Sequence, residues 1–217
     1  MIDQLLPETV VAVEAFADTA GATLFPEEND VVAAVIDPRR REFTTVRTCA
    51  RQGLAQLGFA PAPILPGDQG APSWPDGAVG SMTHCTGYRA AAVGFAHDHV
   101  AIGIDAEPHG PLPAGVLGAI AVPEEQAWVA RLRAVRPDTH WDRLLFSAKE
   151  SVYKAWFPMT HQWLGFRQAT ISVDVSSRTF RAAIAAPSCP STIAFSGSWL
   201  VAGDLVLTAV SVPASRR

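Results

Sequence analysis

Hydrophobic and polar positions in the first third of the chain follow a strand-like and then a helix-like pattern. Residues 10–17 are rich in valine and alanine and are interpreted as a strand. The spacing predicts a long helix from about Pro38 to Leu57, ended by Gly58. Five prolines within residues 59–77 interrupt the pattern and predict a loop.

Short β-rich runs follow this loop. They lie at residues 78–84, 88–96 and 99–107 and are separated by tight turns, which predicts a meander of strands.

The second half of the chain is predicted to begin with helices and to end with strands. The helices are expected at about 113–120, 123–135 and 138–157, and Pro158 should stop the last one. Alternation predicts strands at 168–175, 178–185 and 192–212, with a turn near Gly203 and Asp204. This order predicts an α+β fold of two similar-sized lobes, joined near residues 103–110.

Composition and net charge exclude or disfavour two classes of protein. Hydrophobic residues make up 48% of the 217 residues and charged residues 18%, which excludes intrinsic disorder and allows a sizeable core. The 17 Lys and Arg against 21 Asp and Glu give a net charge of −4, and this acidic balance disfavours a nucleic-acid partner.

The amino-terminal sequence and the cysteines predict a reduced, cytoplasmic protein with no membrane role. No basic segment followed by an apolar one begins the sequence, and no apolar run approaches the ~20 residues that span a bilayer. Cys49, Cys85 and Cys189 are odd in number and form no CxxC motif, so neither a disulfide framework nor a zinc site is predicted.

Two carboxylates at the end of a predicted strand are the first candidates for chemistry. Asp105 and Glu107 are two positions apart, so both side chains share one face of the strand. Paired carboxylates repel each other unless a cation compensates, and such pairs hold Mg²⁺ beside substrate phosphates. The alternative interpretation is a solvated strand end before the turn at Pro108.

A predicted helix carries the second candidate. Glu150 and Lys154 are four residues apart and face the same side of the helix, among aromatic residues. The alternative is an ordinary surface ion pair of little energetic value.

A Gly-Ser-x-Thr-His strand is the third candidate. Ser81, Thr83 and His84 offer two hydroxyls and an imidazole to a phosphate. A half-buried structural histidine is the alternative, and a Ser-His-Asp triad with Ser81 or Ser147 is another. The triad has weak support because the GxSxG motif is missing from the sequence.

An arginine-rich helix is the fourth candidate. Arg40, Thr44, Arg47 and Arg51 fall on one helical stripe, which suits bidentate contact with phosphates. The alternative is a solvated helix face.

The order of these four features resembles the Sfp-type 4′-phosphopantetheinyl transferases, in particular the actinobacterial activators of carrier proteins. The resemblance rests on the Gly-Ile-Asp-x-Glu and Lys-Glu-x-x-x-Lys motifs, with Glu107 and Glu150 separated by 43 positions (150 − 107), and covers about residues 38–166. Such a protein is expected to move the phosphopantetheine arm of coenzyme A to a serine of an apo acyl or peptidyl carrier protein. Adenosine 3′,5′-bisphosphate is the other product.

The resemblance also implies which residues carry the reaction. Asp105, Glu107 and Glu150 match the metal ligands for Mg²⁺, or Mn²⁺, and we expect Glu150 to act as the base as well. Lys154 matches a lysine beside the leaving phosphate. The side chains expected to contact coenzyme A are Arg39, Arg40, Arg47, Ser81, Thr83, His84, Lys149 and Lys154.

The fold implied by the resemblance has two pseudo-symmetric lobes with the active site at their interface. We expect an amino-terminal lobe, 1–103, that holds the adenosine phosphates, and a carboxy-terminal lobe, 104–217, that holds the metal, in a monomer. Pro66 and Gln69 depart from the family pattern, because a cation is often found in this loop. Two alternatives are a coenzyme A-binding module without activity and another Mg²⁺-dependent phosphoryl or nucleotidyl enzyme.

Overall fold

Helices and strands alternate along the chain in the order that the sequence predicts. The computed structural model describes residues 1–185 and 193–215, so Cys189 and residue 192 of the last predicted strand run lie outside the described residues. The strands are β1 (Val10–Ala15), β2 (Ala78–Cys85), β3 (Tyr88–Phe95), β4 (His99–Pro108), β5 (Ala169–Asp174), β6 (Thr179–Ile184), β7 (Ile193–Ala202) and β8 (Leu205–Pro213). The helices are α1 (Pro26–Val31), α2 (Asp37–Gln56), α3 (Val116–Ile120), α4 (Pro123–Val135) and α5 (Trp141–Thr160).

Two antiparallel sheets organise these elements. The first has the strand order β1-β3-β2, and the second has the order β4-β8-β7-β6-β5. Helix α2 packs on the first sheet through residues such as Cys49, Ala50 and Leu54. Helix α5 packs on the second sheet through a buried face that includes Leu144 and Val152. The α+β class with two small sheets, each covered by helices, is confirmed.

The predicted meander of three strands is wrong in its last member. Strands β2 and β3 form a hairpin, but β4 pairs along its length with β8 in the second sheet. The backbone N–H groups of Ile104 and Ala106 donate to the side-chain hydroxyls of Ser81 and Thr83, at 3.1 and 3.0 Å. Side chains of β2, rather than a backbone ladder, therefore join the first sheet to β4.

Two further boundaries differ from the sequence-based expectation. Helix α5 begins at Trp141 and continues past Pro158 to Thr160. The helix continues because the missing N–H of a proline removes only one hydrogen bond, and the bond from His161 N to Phe157 O follows it at 2.8 Å. The run that begins at residue 192 resolves into β7 and β8, with Gly203 at φ 56° in the turn between them, as predicted.

The proposed division between residues 103 and 104 falls inside β4. This strand is buried on both faces: Ile102, Ile104 and Ala106 belong to a core cluster that also contains residues of β3 and β8. The opposite face of β4 contacts α5. The division of the chain into two lobes at this point stays a prediction. No helix among the described residues is long and apolar enough to cross a membrane.

Close packing at Gly103 brings β4 against α5. A Cβ atom at this position would lie 2.8 Å from the backbone nitrogen of Ala155 and closer still to the carbonyl oxygen of Ser151. Both atoms belong to the helix backbone, so neither can rotate away. This contact sets the distance between the strand that carries Asp105 and the helix that carries Glu150.

Gly103→Ala is therefore expected to destabilise the protein strongly. Overpacking costs about 1–3 kcal/mol in ordinary cores and more where rigid backbone opposes it. Urea denaturation followed by circular dichroism measures the loss. Gly118→Ala is the matched control, because Gly118 lies in helix α3 with no atom within 4 Å of the added Cβ. Equal midpoints for Gly103→Ala and the wild type would contradict the described packing.

Candidate active site

An open cleft of about 440 Å³ lies where the two sheets and their helices meet. Helix α2, the loop around Gln69, strand β2 and helix α5 all contribute to its walls. The lining combines apolar surface with charged groups at opposite sides. The polar and charged side chains in the lining are Arg39, Arg47, Gln69, Ser81, His84, Glu150 and Lys154, and the larger apolar ones are Val31, Phe43, Val46, Met82, Tyr153 and Phe157.

Arg39 and His84 lie side by side in one wall of the cleft. Nη1 of Arg39 donates to Nε2 of His84 at 2.7 Å. Burial, as the largest cause, and the charge of Arg39 lower the pKa of His84 to about 4, while Glu42 opposes the shift. His84 is therefore neutral at neutral pH, which leaves its ring nitrogen able to accept the hydrogen bond from Arg39.

This buried histidine makes stability fall as the pH is lowered. The unfolded chain takes up a proton near the ordinary pKa of about 6.5, whereas folded His84 resists protonation until about pH 4. Between these values the proton favours the unfolded state. We expect His84→Gln to lose less free energy of unfolding than the wild type between pH 7 and pH 4.5.

Urea titrations at several pH values test this expectation, and His97→Gln, at an exposed histidine, serves as the control. A pH dependence of His84→Gln that matches the wild type would be inconsistent with a neutral, buried imidazole in the folded protein.

The predicted arginine stripe on α2 is divided between different surroundings. The Arg47 guanidinium stacks 3.2 Å from the centre of the Phe43 ring and its Nε donates to Ile64 O at 2.8 Å. Nη1 of Arg51 donates to both carboxylate oxygens of the buried Glu28, at 2.9 Å to Oε1 and 2.8 Å to Oε2. Arg40 lines a separate surface cavity. Only Arg47 of the predicted stripe lines the cleft, together with Arg39.

Asp105, Glu150 and Lys154 lie close together where β4 packs against α5, and Glu150 and Lys154 line the cleft there. Nζ of Lys154 donates to Asp105 Oδ1 at 2.8 Å and to Ile104 O at 3.0 Å. The second carboxylate oxygen of Asp105, Oδ2, is buried and has no hydrogen-bond partner. Burial raises the pKa of Glu150, and the negative charge of Asp105 adds to the rise, while Lys154 opposes it.

Glu107 lies beyond Asp105 on the same strand face. Its Oε2 accepts a hydrogen bond from Nη1 of Arg143 at 2.8 Å. Burial raises the pKa of Glu107, and Asp105 adds to the rise, while Arg143 opposes it. Arg143 holds Glu107 and Lys154 holds Asp105. Within the described residues, no group of three or more His, Cys, Asp or Glu side chains is arranged to hold a metal ion.

The donor set nevertheless fits a hard divalent cation. Carboxylate oxygens are the ligands that Mg²⁺ and Mn²⁺ prefer. The buried, unpartnered Oδ2 of Asp105 is an acceptor in need of a positive partner, and such atoms are costly to leave unsatisfied. Asp105 also raises the pKa of both Glu107 and Glu150, so its carboxylate lies within electrostatic range of each of them.

The hydroxyls of β2 have mainly a joining role in this structure. Thr83 accepts from Ala106 N and donates to Asp105 Oδ1 at 3.4 Å, and it is not among the cleft lining. Ser81 lines the cleft but accepts from Ile104 N. Ser147 bonds Thr208 in the core. In the described part of the chain no serine contacts His84, so a Ser-His-Asp triad has no support.

Lys149 is not brought to the cleft. Its buried Nζ bonds Glu125 at 2.8 Å and the carbonyl oxygens of Phe166 and Ala169 at 2.7 and 2.6 Å. Three donors therefore meet three acceptors, and the side chain ties α4 and the segment after α5 to α5 itself. The structure gives Lys149 a structural position rather than the predicted contact with phosphate.

Three features of the site were missed by sequence reasoning. Arg143 holds Glu107, and Tyr153 lines the cleft. A second pocket of about 130 Å³ shares Glu150 and Tyr153 with the cleft. Lys149 also lines it, and the rest of its wall, with Trp163 and Phe166, is largely apolar. Helical spacing was the available signal, because Arg143 precedes Glu150 by seven residues and Tyr153 follows it by three.

Comparisons with known proteins agree across the two halves of the chain. A family model described as "4'-phosphopantetheinyl transferase N-terminal domain" matches residues 27–94. A second model, described as "4'-phosphopantetheinyl transferase superfamily", matches residues 101–210.

Three curated actinobacterial proteins are similar over nearly the full length. The chain is 51% identical to the 4′-phosphopantetheinyl transferase Svp of Streptomyces mobaraensis, over 99% of this chain and 90% of that protein. It is 46% identical to PptT of Mycobacterium tuberculosis, over 97% of each chain. It is 42% identical to Npt of Nocardia iowensis, over 97% of this chain and 99% of that protein. Both are also named 4′-phosphopantetheinyl transferases.

Proposed function

The chain belongs to the 4′-phosphopantetheinyl transferase family, and from that premise we propose the reaction and its residues. It is an enzyme that transfers the phosphopantetheine group to carrier proteins, and membership in this family implies coenzyme A as the substrate and a divalent metal. The acceptor is a serine hydroxyl of an apo acyl or peptidyl carrier protein. The second product is adenosine 3′,5′-bisphosphate.

The observation that carries this proposal is the distribution of charge in the cleft. Arg39 and Arg47 line it on the side of the first sheet, whereas Glu150 and Lys154 line it on the side of the second. Coenzyme A carries phosphates at its adenosine end and a pyrophosphate between the adenosine and the pantetheine arm. A cationic wall suits the former, and a lysine beside carboxylates that bind a metal suits the latter.

We propose Mg²⁺ as the metal, held by Asp105, Glu107 and Glu150, with Mn²⁺ as an acceptable replacement. Bound there, the ion would neutralise charge on the phosphoryl oxygens of the pyrophosphate. Lys154 adds a second positive charge, and its two hydrogen bonds to β4 fix its ammonium group at this side of the cleft. Together, the ion and Lys154 would stabilise the negative charge that develops on the leaving phosphate.

Glu150 is the proposed general base. Its raised pKa, caused by burial and by Asp105, makes it a better proton acceptor than an exposed carboxylate. It takes the proton of the serine hydroxyl directly or through a water molecule. Glu150 also lies on the boundary of both pockets, so it is close to where the arm and the pyrophosphate would meet.

The second pocket offers room for the pantetheine arm. It is small and largely apolar, and it shares the lining residues Glu150 and Tyr153 with the cleft. Trp163 is 68% exposed, and its ring packs edge-to-face on Tyr153 at a centroid distance of 5.3 Å. An exposed indole of this kind gains contact area when a flexible ligand covers it.

The loop with Pro66 and Gln69 lines the cleft without a cation. Gln69 adopts φ 53°, an uncommon backbone conformation for a residue other than glycine. Phosphate contacts therefore depend on Arg39, Arg47 and His84 in this chain. We also propose that the protein acts as a monomer, in the cytoplasm.

Intact-mass spectrometry of a carrier protein tests the proposed function. The purified enzyme, coenzyme A, Mg²⁺ and an apo carrier protein should give a mass gain of one phosphopantetheine group, and a carrier whose acceptor serine is replaced by alanine should gain nothing. EDTA should abolish the gain. If none of several acyl and peptidyl carriers gains mass while coenzyme A binds, the protein is a binding module instead. Cleavage of coenzyme A without a carrier would favour a different Mg²⁺-dependent enzyme.

A further inference from the structure

Arg143 connects the first turn of α5 to the strand end that carries Glu107. It precedes Glu150 by seven residues, or about two helical turns, so both side chains project from the same side of the helix. The Arg143 side chain is 17% exposed and the Glu107 side chain 20%. Both groups are therefore largely removed from solvent, beside the carboxylates to which the proposed function assigns the metal.

The guanidinium of Arg143 makes three directed hydrogen bonds. Nη1 donates to Glu107 Oε2 at 2.8 Å, Nη2 donates to Pro111 O at 2.8 Å, and Nε donates to Gly110 O at 3.1 Å. Because all three nitrogens of a planar, rigid fork are engaged, the plane of the group is fixed relative to the turn after β4. The turn is fixed in addition by the bond from His109 N to Asp204 O at 2.7 Å.

A neighbouring ion pair shows what a merely structural arginine in this region looks like. Arg133 reaches Asp142 at 3.0 Å, but its side chain is 54% exposed and no carbonyl oxygen among the described residues accepts from it. The Asp142 carboxylate is only 5% exposed, but the guanidinium of Arg133 is open to solvent, so water screens its charge. Arg143 differs because three of its nitrogens donate to protein acceptors. It holds Glu107 through Oε2 and leaves Oε1 without a hydrogen bond in the described residues.

We propose that Arg143 is a positioning residue for the metal site: it holds Glu107 by Oε2 so that Oε1 is directed to the divalent ion that Asp105 and Glu150 also bind. Groups that orient a metal ligand from behind typically change metal affinity or activity by about 10- to 100-fold when removed. The inference rests on the proposed function, because it assigns the metal to these carboxylates. It adds a residue outside the two recognised motifs.

The experiment compares Arg143→Gln and Arg143→Lys with Arg133→Gln, at the exposed neighbouring arginine. Binding of Mn²⁺ to the coenzyme A complex is measured by the electron paramagnetic resonance signal of free Mn²⁺, independently of activity. We expect Arg143→Gln to weaken Mn²⁺ binding by about 10- to 100-fold. Arg143→Lys should retain only part of the wild-type Mn²⁺ affinity, because a lysine cannot make the three hydrogen bonds. Arg133→Gln should bind Mn²⁺ as tightly as the wild type.

Transfer assays supply a second, separable readout. The rate of Arg143→Gln should recover at high Mg²⁺ with an unchanged KM for coenzyme A, whereas a general loss of structure would lower the melting temperature and would not recover. If Arg143→Gln does not fold, the weaker Mn²⁺ binding of Arg143→Lys at an unchanged melting temperature must show the effect. Mn²⁺ affinity within twofold of the wild type in every folded Arg143 variant would overturn the inference. A wild type that binds Mn²⁺ but modifies no carrier would instead overturn the proposed function.

Discussion

Glu150→Gln should lose nearly all transfer activity and still bind coenzyme A. The substitution keeps the shape of the side chain but removes the proton acceptor and one metal-binding charge. General-base catalysis alone contributes about 10²- to 10⁴-fold, so a loss of at least this size is expected. Coenzyme A binding should be retained because Arg39 and Arg47, on the opposite side of the cleft, are untouched.

The release of adenosine 3′,5′-bisphosphate, followed by chromatography, measures the turnover of Glu150→Gln, and isothermal titration calorimetry measures coenzyme A binding. Glu124→Gln, an exposed glutamate on α4, is the control and should keep full activity. Near-normal turnover of Glu150→Gln would refute its role as the base.

Asp105→Asn is expected to remove metal binding and turnover together. Asp105 is 5% exposed. One of its carboxylate oxygens accepts from Lys154, and the other is buried without a hydrogen-bond partner. The amide is nearly isosteric but uncharged, so the ion loses a ligand charge and Lys154 loses its counter-ion. Loss of one electrostatic contact of this kind typically costs about 10²- to 10³-fold in rate.

The melting temperature of Asp105→Asn should also fall, because Lys154 keeps its charge while half-buried without a carboxylate partner. Mn²⁺ binding, turnover and thermal melting are measured on the same preparation. Asp76→Asn, at an exposed aspartate, is the matched control. If Asp105→Asn bound Mn²⁺ as tightly as the wild type, Asp105 would not be a metal ligand.

The two halves of the site differ in how far the sequence could predict them. Period-2 alternation placed Asp105 and Glu107 on one face of β4, and helical spacing placed Glu150 and Lys154 together on α5. The structure brings Asp105, Glu150 and Lys154 into one cluster, because Gly103 lets the strand and the helix approach closely. The regular geometry of a strand and of a helix was sufficient to predict which of these side chains share a face.

The partners of the arginine side chains on α2 could not be predicted from the helix alone, because they come from other elements. The spacing of Arg40, Arg47 and Arg51 follows helical periodicity, but the buried carboxylate of Glu28 binds Arg51, and nothing in the local pattern identifies Glu28 as its partner. Lys149 is a different case. It is five residues from Lys154, which places it on another side of the helix, so periodicity alone argued against a shared site.

The strand that pairs with β4 could not be predicted from the local sequence pattern. Alternation of apolar residues shows that a segment is a strand but not which strand lies beside it, and a hairpin with the preceding strand is the usual choice. Here β4 pairs with β8, about a hundred residues later in the chain, and both faces of β4 are buried. That long-range pairing carries Asp105 and Glu107 into the second sheet, opposite the arginines of the first.

The position of Mn²⁺ in a crystal of the coenzyme A complex is the decisive test of whether Asp105, Glu107 and Glu150 bind the metal. Mn²⁺ gives an anomalous scattering peak that locates it without reference to the protein model. We predict one strong peak between Asp105, Glu107 and Glu150, in contact with the pyrophosphate of coenzyme A in the cleft. A metal peak beside other side chains would contradict the proposed metal site. Coenzyme A bound away from this cleft would contradict the proposed substrate site.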